Sequence, residues 1–323
     1  MGAGQGVSGD APRLAAKGLY RRLLQVFETG EPVDFSVGAP MAWIKAIDEL
    51  LIDGHTEAAR AGLARLRDAE PDLQWSESVL ELIDLLPKSA EQGPRFIDNR
   101  ELDVQVVNRQ GSKTVIFAFC GRKHRLGMPL WLTQRWMSQF DASIVYLRDF
   151  RDLHYLGGVR SWDSRDRTLI SLNWIAEQLK AERVLCMGNS SGGYAALDYG
   201  LALGAEAVLS FSGGTNLEPE FNTFLNRADG AAAIREAFPN APLNLRDLYL
   251  AAPRRPRSIL VYGDQCWDDR LHSENMRGVP DVRLWPLKGF IGHGSLPELI
   301  RRGGFDATMG DFLAIAPQTQ GAI

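Results

Sequence analysis

Apolar residues recur every three or four positions from Leu14 to Phe27 and again from Ala39 to Leu86, which predicts amphipathic helices. The run "MAWIKAIDELLIDG" ends at Gly54, which can take the left-handed stop conformation. "HTEAARAGLARLRDAEP" ends at Pro71, which cannot continue a helix. After Pro94 the period changes. "RFIDN" and "ELDVQVVNRQGSKTVIFAF" alternate or run apolar between turn residues, the pattern of strands. Beyond them, strand candidates take turns with helix candidates. The strands are Thr114–Phe119, Ser143–Leu147, Val184–Met187, Ala207–Phe211, Ile259–Tyr262 and Val282–Trp285. The helices are Arg167–Lys180, Ser191–Leu203, Asp269–Arg277 and Leu296–Arg302. This alternation predicts an α/β fold with a mostly parallel sheet covered on both faces, led into by an antiparallel hairpin. The expected organisation is a flexible tail over 1–12, a helical segment over 13–92 and an α/β domain over 93–317.

Composition narrows the function classes. The 323 residues are 45% hydrophobic and 24% charged, with a formal net charge of -4, ordinary values for a globular protein. No basic tract stands out, and "RRPR" from Arg254 reads as solvated loop, so no nucleic-acid partner is expected. Three cysteines, Cys120, Cys186 and Cys266, are too few and odd in number for a disulfide framework, which favours a reducing compartment. No apolar run approaches the roughly 18 residues of a membrane helix, and the N-terminus lacks an apolar signal core. Gly6 stands where a myristoylation signal has Ser or Thr. The expectation is a cytoplasmic protein with no membrane partner.

The candidate chemistry centres on one corner. In "RVLCMGNSSGGYAAL" an apolar strand stops at Gly188, and a helix begins after Ser190. Gly188-Asn189-Ser190-Ser191-Gly192 is a G-x-S-x-G stretch between strand and helix, the context in which that pattern lifts a nucleophile above a sheet. Ser190 has glycine two residues away on both sides, whereas Ser191 has Asn189 behind it, so Ser190 is the candidate nucleophile. No phosphate-binding G-x-x-x-x-G-K-[ST] or G-x-G-x-x-G is present here. The N–H of Ser191, at the positive end of the following helix, would face a developing oxyanion.

A serine needs a base, and the base needs an orienting acid. Of His55, His124, His154, His272 and His293, the last lies between the final strand and the final helices, flanked by Gly292 and Gly294, and is the candidate base. The loop after Ile259–Tyr262 reads "GDQCWDDRLHSE" and offers Asp269 first, with Asp268 and Asp264 as alternatives. The second oxyanion donor is sought after Thr114–Phe119, where the chain turns at Gly121. The Arg122 N–H is the candidate and Gly121 the alternative. Cys120 has no neighbouring base and reads as packing. No metal-ligand spacing is present, and no cofactor is expected.

The "GNSSGG" corner, the aspartate-rich loop and "GHGSLPELI" stand in the order Ser, Asp, His. Over 95–313 the chain resembles the α/β-hydrolase family. "YLRDFRDLHYLGGV" and "GHGSLPELIRRGGF" resemble a bacterial subgroup found beside tetratricopeptide-like segments and surface-polysaccharide genes. "FCG" stands here in place of the common "HGG", and the acidic loop is longer. Trp43, Gly54, Ala59 and Pro71 fall where a single tetratricopeptide hairpin would have them. The family resemblance implies a cap at the insertion 213–256, here short. Its helical stretches are Ala231–Phe238 and Leu245–Ala251, and Phe221, Phe224, Leu225 and Tyr249 read as acyl-pocket lining or as ordinary packing. Arg122, Lys123 and Arg125 read as solvated loop or as contacts for an anionic substrate.

The expected activity is a serine hydrolase cleaving a carboxylic ester, on a small molecule or a saccharide. Acyl transfer by the same triad is an alternative, and a thioesterase or amidase stays open. The non-enzymatic alternative is an interaction module whose N-terminal helices bind a protein partner or a second copy of the chain.

Overall fold

A computed structural model of the chain describes residues 10–30, 40–87, 96–223, 225 and 227–314. The tail expected over 1–12 lies outside these residues except at its end, where a helix has already begun. Two compact units are present, the first drawn from Met1–Glu91, Phe96–Asp98 and Pro129–Met137, the second from the rest.

The first unit holds helices α1 (Asp10–Thr29), α2 (Pro40–Ile52), α3 (Thr56–Ala69), α4 (Gln74–Asp84) and α5 (Leu130–Met137). Trp43, Ile47, Leu50 and Leu51 of α2 are buried with Ala59, Leu63 and Leu66 of α3, which is the predicted apolar stripe at work. Gly54 takes φ +84° between these two helices, a conformation that stops α2. Helix α5 was not predicted. Every residue in it except Arg135 is buried, so it carries no one-sided period. The Trp136 indole N–H donates to the Leu82 carbonyl at 3.3 Å, tying α5 to the end of α4.

The second unit is built on strands β1 (Val104–Val107), β2 (Thr114–Phe119), β3 (Ser143–Leu147), β4 (Arg183–Asn189), β5 (Ala207–Phe211), β6 (Arg257–Gly263) and β7 (Val282–Leu287). Its helices are α6 (Arg165–Gln178), α7 (Ser191–Ala202), α8 (Pro219–Thr223), α9 (Ala228–Ala237), α10 (Leu245–Ala251), α11 (Trp267–Asn275), α12 (Ser295–Arg301) and α13 (Phe305–Leu313). The strand order is β1-β3-β2-β4-β5-β6-β7, and β1 alone of these strands runs antiparallel. Two expectations are corrected here. Phe96–Asn99, within "RFIDN", forms no strand. Strand β1 makes no hairpin with β2. It pairs with β3, because both edges of β2 are taken by parallel neighbours.

Both faces of the sheet are covered. Val115, Phe117 and Phe119 point to one face and Ile116 and Ala118 to the other, and all five have no exposed surface. That is why the strands read as continuous apolar runs rather than alternations. Fully burying each such large side chain is worth about 1.5–3 kcal/mol. From β2 the chain steps outward to β3, then returns to lay β4 on the other side of β2. The carboxyl ends of β2 and β4 therefore flank the point where strand order reverses, the usual crevice of open α/β sheets. This sheet, with its sharp strand-to-helix turn after β4, is the α/β-hydrolase fold.

The turn itself is strained. Ser190 takes φ 56°, ψ -121°, a region that side chains rarely enter. A β-carbon on Gly188 would lie 2.0 Å from the Gly192 carbonyl oxygen, and one on Gly192 would lie 2.1 Å from the Phe119 carbonyl oxygen. Both obstacles are backbone, so neither can swing aside. Gly192→Ala is accordingly expected to cost about 3 kcal/mol or more. Gly310→Ala, in α13 with nothing within 4 Å of the added carbon, should be neutral or stabilising. Thermal melts of the two variants check this; equal midpoints would show that α7 can back away from β2.

Candidate active site

Ser190 is pinned through its backbone. Its N–H donates to Phe211 O on β5 at 2.9 Å, and its carbonyl accepts from the Gly193 and Tyr194 N–H groups at 2.9 and 3.3 Å. The hydroxyl oxygen accepts no capping bond from the first N–H groups of α7. The Ser191 N–H opens α7 and, like that of Arg122, has no backbone acceptor among the described residues. Gly121, the alternative donor, is engaged: its N–H donates to Arg125 O at 2.8 Å. The β-carbon position of Gly121 lies 3.3 Å from Ser190 Cβ, so the loop after β2 touches the serine turn.

The three aspartates of the loop after β6 separate cleanly. Asp264 accepts from the Gly289 N–H at 2.7 Å and faces the Lys288 ammonium at 3.7 Å. Asp268 pairs with Arg227. Asp269 is 2% exposed, and its Oδ1 lies 2.6 Å from His293 Nδ1. An ionised carboxylate only accepts, so Nδ1 donates and the Nε2 lone pair is left for a proton.

The His293 loop is fastened to the serine turn by its neighbours. Ser295 Oγ bonds Ser212 Oγ at 2.8 Å, one residue beyond the Phe211 that holds Ser190. The β-carbon position of Gly127 lies 3.2 Å from Pro297 Cδ and 3.3 Å from Asn189 Oδ1, which brings α12 beside the residue preceding Ser190. Ser190, Asp269 and His293 thus all issue from the carboxyl edge of the parallel strands β4, β6 and β7.

The other histidines sort differently. His55 lies edge-on to Tyr20 in the first unit, and His124 packs on Phe150 at 4.7 Å between ring centres. His272 sits one turn beyond Asp269. Its Nδ1 accepts from the Thr215 N–H at 3.2 Å, and the Phe221 ring covers it at 5.1 Å. His154 lies in the loop after β3, edge-on to Tyr194 of α7 at 6.1 Å. That loop is wound around Asp149, whose carboxylate accepts from the N–H groups of Arg151, Leu153 and Tyr155, and His154 itself sits at φ 54°. Spacing in the sequence gives no signal for the burial of His154 or His272, which comes from the packing of remote residues.

Burial holds the imidazoles of His154 and His272 at about 4 instead of 6.5, with Arg122 lowering the first further and Arg227 the second. Both are neutral in the folded chain near neutral pH. In the unfolded chain each takes a proton near 6.5, so acid favours unfolding. Stability is full above that value and is lost as pH falls toward about 4. Melting midpoints should therefore drop from about pH 7 to about pH 4.5, and His272→Gln should flatten the slope. A variant with the wild-type slope would refute a neutral buried His272.

Tyr249 belongs to the core, its hydroxyl donating to Leu197 O at 3.2 Å, so packing and not pocket lining is its role. Phe224 lies outside the described residues. Arg122 and Lys123 are exposed, and Arg125 is half-buried. Cys120 and Cys186 are buried, while Cys266, just before α11, is partly exposed. Spacing alone gave no metal-ligand pattern, yet the fold gathers one donor atom each from Cys266, Asp269 and His293 within 4.8 Å of one another. Among the described residues no helix is long and apolar enough to cross a membrane.

No protein-family model matches the chain, and no curated protein matches it in sequence. Among solved structures it is similar to Est1E from Butyrivibrio proteoclasticus, at 14% identity and TM-score 0.48 over 69% of this chain and 99% of that one. It is similar to the thermophilic esterase Est2 from the Planctomycetes species Thermogutta terrifontis, at 18% identity and TM-score 0.47 over 71% and 94%. The capsule O-acetyltransferase of Neisseria meningitidis serogroup A matches at 12% identity and TM-score 0.47 over 66% and 92%. The fold assignment rests on the strand order and the Ser190 turn, not on these likenesses.

Proposed function

We propose that this protein is a serine hydrolase that cleaves a carboxylic ester through an acyl-enzyme on Ser190. The observation that carries the reading is the 2.6 Å bond between buried Asp269 and His293, at the same sheet edge as the strained serine turn. Ser190 Oγ attacks the carbonyl carbon while His293 Nε2 takes its proton. The imidazolium so formed is stabilised by the Asp269 carboxylate. The oxyanion is held by the N–H groups of Ser191 and Arg122, each such donor being worth about 10²–10³ in rate. Collapse expels the alcohol, which receives the proton from His293. Water, deprotonated by the same imidazole, then releases the acid.

In the first unit, the seam of α2 and α3 supports a tetratricopeptide-like hairpin, with Trp43 and Ala59 buried and Gly54 at the turn. A saccharide ester is the substrate class proposed with it, on the strength of the sequence resemblance. The test is a fluorophosphonate probe followed by mass spectrometry of the modified peptide. Labelling within Gly188–Gly193 is expected; a folded protein that takes no label would leave the fold without this chemistry.

A further inference from the structure

Cys266 precedes α11 by one residue, and Asp269 lies three residues on, in its first turn. His293 arrives from the loop after β7. The thiol sulfur, a carboxylate oxygen and a ring nitrogen of these residues lie within 4.8 Å of one another. Ester cleavage has no use for the thiol. The carboxylate is also weakly satisfied: Oδ1 meets His293, whereas Oδ2 is buried without a well-formed hydrogen bond among the described residues, and the carboxylate's other side-chain neighbour is the weakly donating Cys266 thiol. A buried carboxylate oxygen without a well-formed bond is costly, and a cation relieves that cost directly.

Thiolate, imidazole and carboxylate are the donor set of tetrahedral zinc. Ligands about 2.0–2.3 Å from a tetrahedral centre stand about 3.3–3.8 Å apart, so modest side-chain turns close this cluster. The His293 side chain is 51% exposed, which leaves an approach from solvent and a fourth position for water. We propose that Cys266, Asp269 and His293 bind Zn²⁺, and that the bound ion switches off the hydrolase. The binding stands on its own, whereas the switching rests on the function proposed above. The thiol proton leaves to solvent as the sulfur–zinc bond forms. If Nδ1 is the ligand, the single ring proton of the neutral imidazole moves from Nδ1 to Nε2 and occupies the lone pair there; if Nε2 is the ligand, that lone pair is taken by the metal. Either way no base remains for Ser190.

Titration of the metal-free chain with Co²⁺ tests the site, because thiolate–cobalt coordination gives a charge-transfer band that Zn²⁺ then displaces. One equivalent is expected in the wild type, and no band in Cys266→Ser, with zinc affinity about tenfold weaker or more. His293→Ala, on an exposed loop, should weaken zinc comparably. Absence of the band in the wild type, or its persistence in Cys266→Ser, would overturn the site. In parallel, Zn²⁺ should block fluorophosphonate labelling in step with occupancy, and a chelator should restore it. Zinc bound with labelling undiminished defeats the switch. A cobalt band in a chain that never labels keeps the metal site and removes the hydrolase, and labelling without a band does the reverse.

Discussion

Ser190→Ala is expected to abolish fluorophosphonate labelling and to lower kcat on p-nitrophenyl esters by about 10⁴–10⁶. The loss is that large because the nucleophile has no understudy. Ser191 is the first residue of α7, and in the proposed mechanism it contributes its N–H and not its hydroxyl. Alanine keeps the β-carbon of serine, so the backbone strain at φ 56° stays and the melting point should hardly move. Ser190→Gly offers the complementary readout. It is equally inactive, but glycine tolerates that conformation, so the chain should gain about 1 kcal/mol. Inactivation with relief of strain is the signature of a turn kept for chemistry. A Ser190→Ala chain that still labels would hand the nucleophile to another residue.

The strands and helices that flank Ser190 were legible because they obey local rules. An apolar run bounded by Gly188 and a glycine-rich helix start can only turn sharply there, and the backbone contacts at Gly188 and Gly192 give the reason. What sequence could not settle was the acid, where Asp269 stands first only by its place at the start of a helix pattern. Asp264, Asp268 and Asp269 are equivalent as letters; they differ in partners contributed by Gly289, Arg227 and His293, all remote in the chain. The same limit hid α5, whose all-round burial erases periodicity, and the pairing of β1 with β3, which depends on where β2 is placed. The neutral histidines His154 and His272 owe their state to burial, which no spacing encodes.

The acid is therefore the sharpest place to probe the site. Asp269→Asn should lower kcat by about 10⁴ with little change in KM. Asparagine is nearly isosteric and can still accept from Nδ1, but it no longer carries the charge that stabilises an imidazolium. Its amide can also donate to Nδ1, which puts the ring proton on Nε2, the wrong nitrogen for a base. Asp268→Asn frees Arg227 from an exposed pair, and Asp264→Asn keeps an acceptor for the Gly289 N–H while losing the charge that faces Lys288; neither carboxylate is bonded to His293. Both variants should stay within about threefold of wild type, since exposed pairs contribute little. Steady-state kinetics on one ester across the three variants decides the matter. If Asp268→Asn or Asp264→Asn produced the large fall and Asp269→Asn the small one, the 2.6 Å bond to His293 would be a structural contact, and the catalytic assignment would move to the other carboxylate.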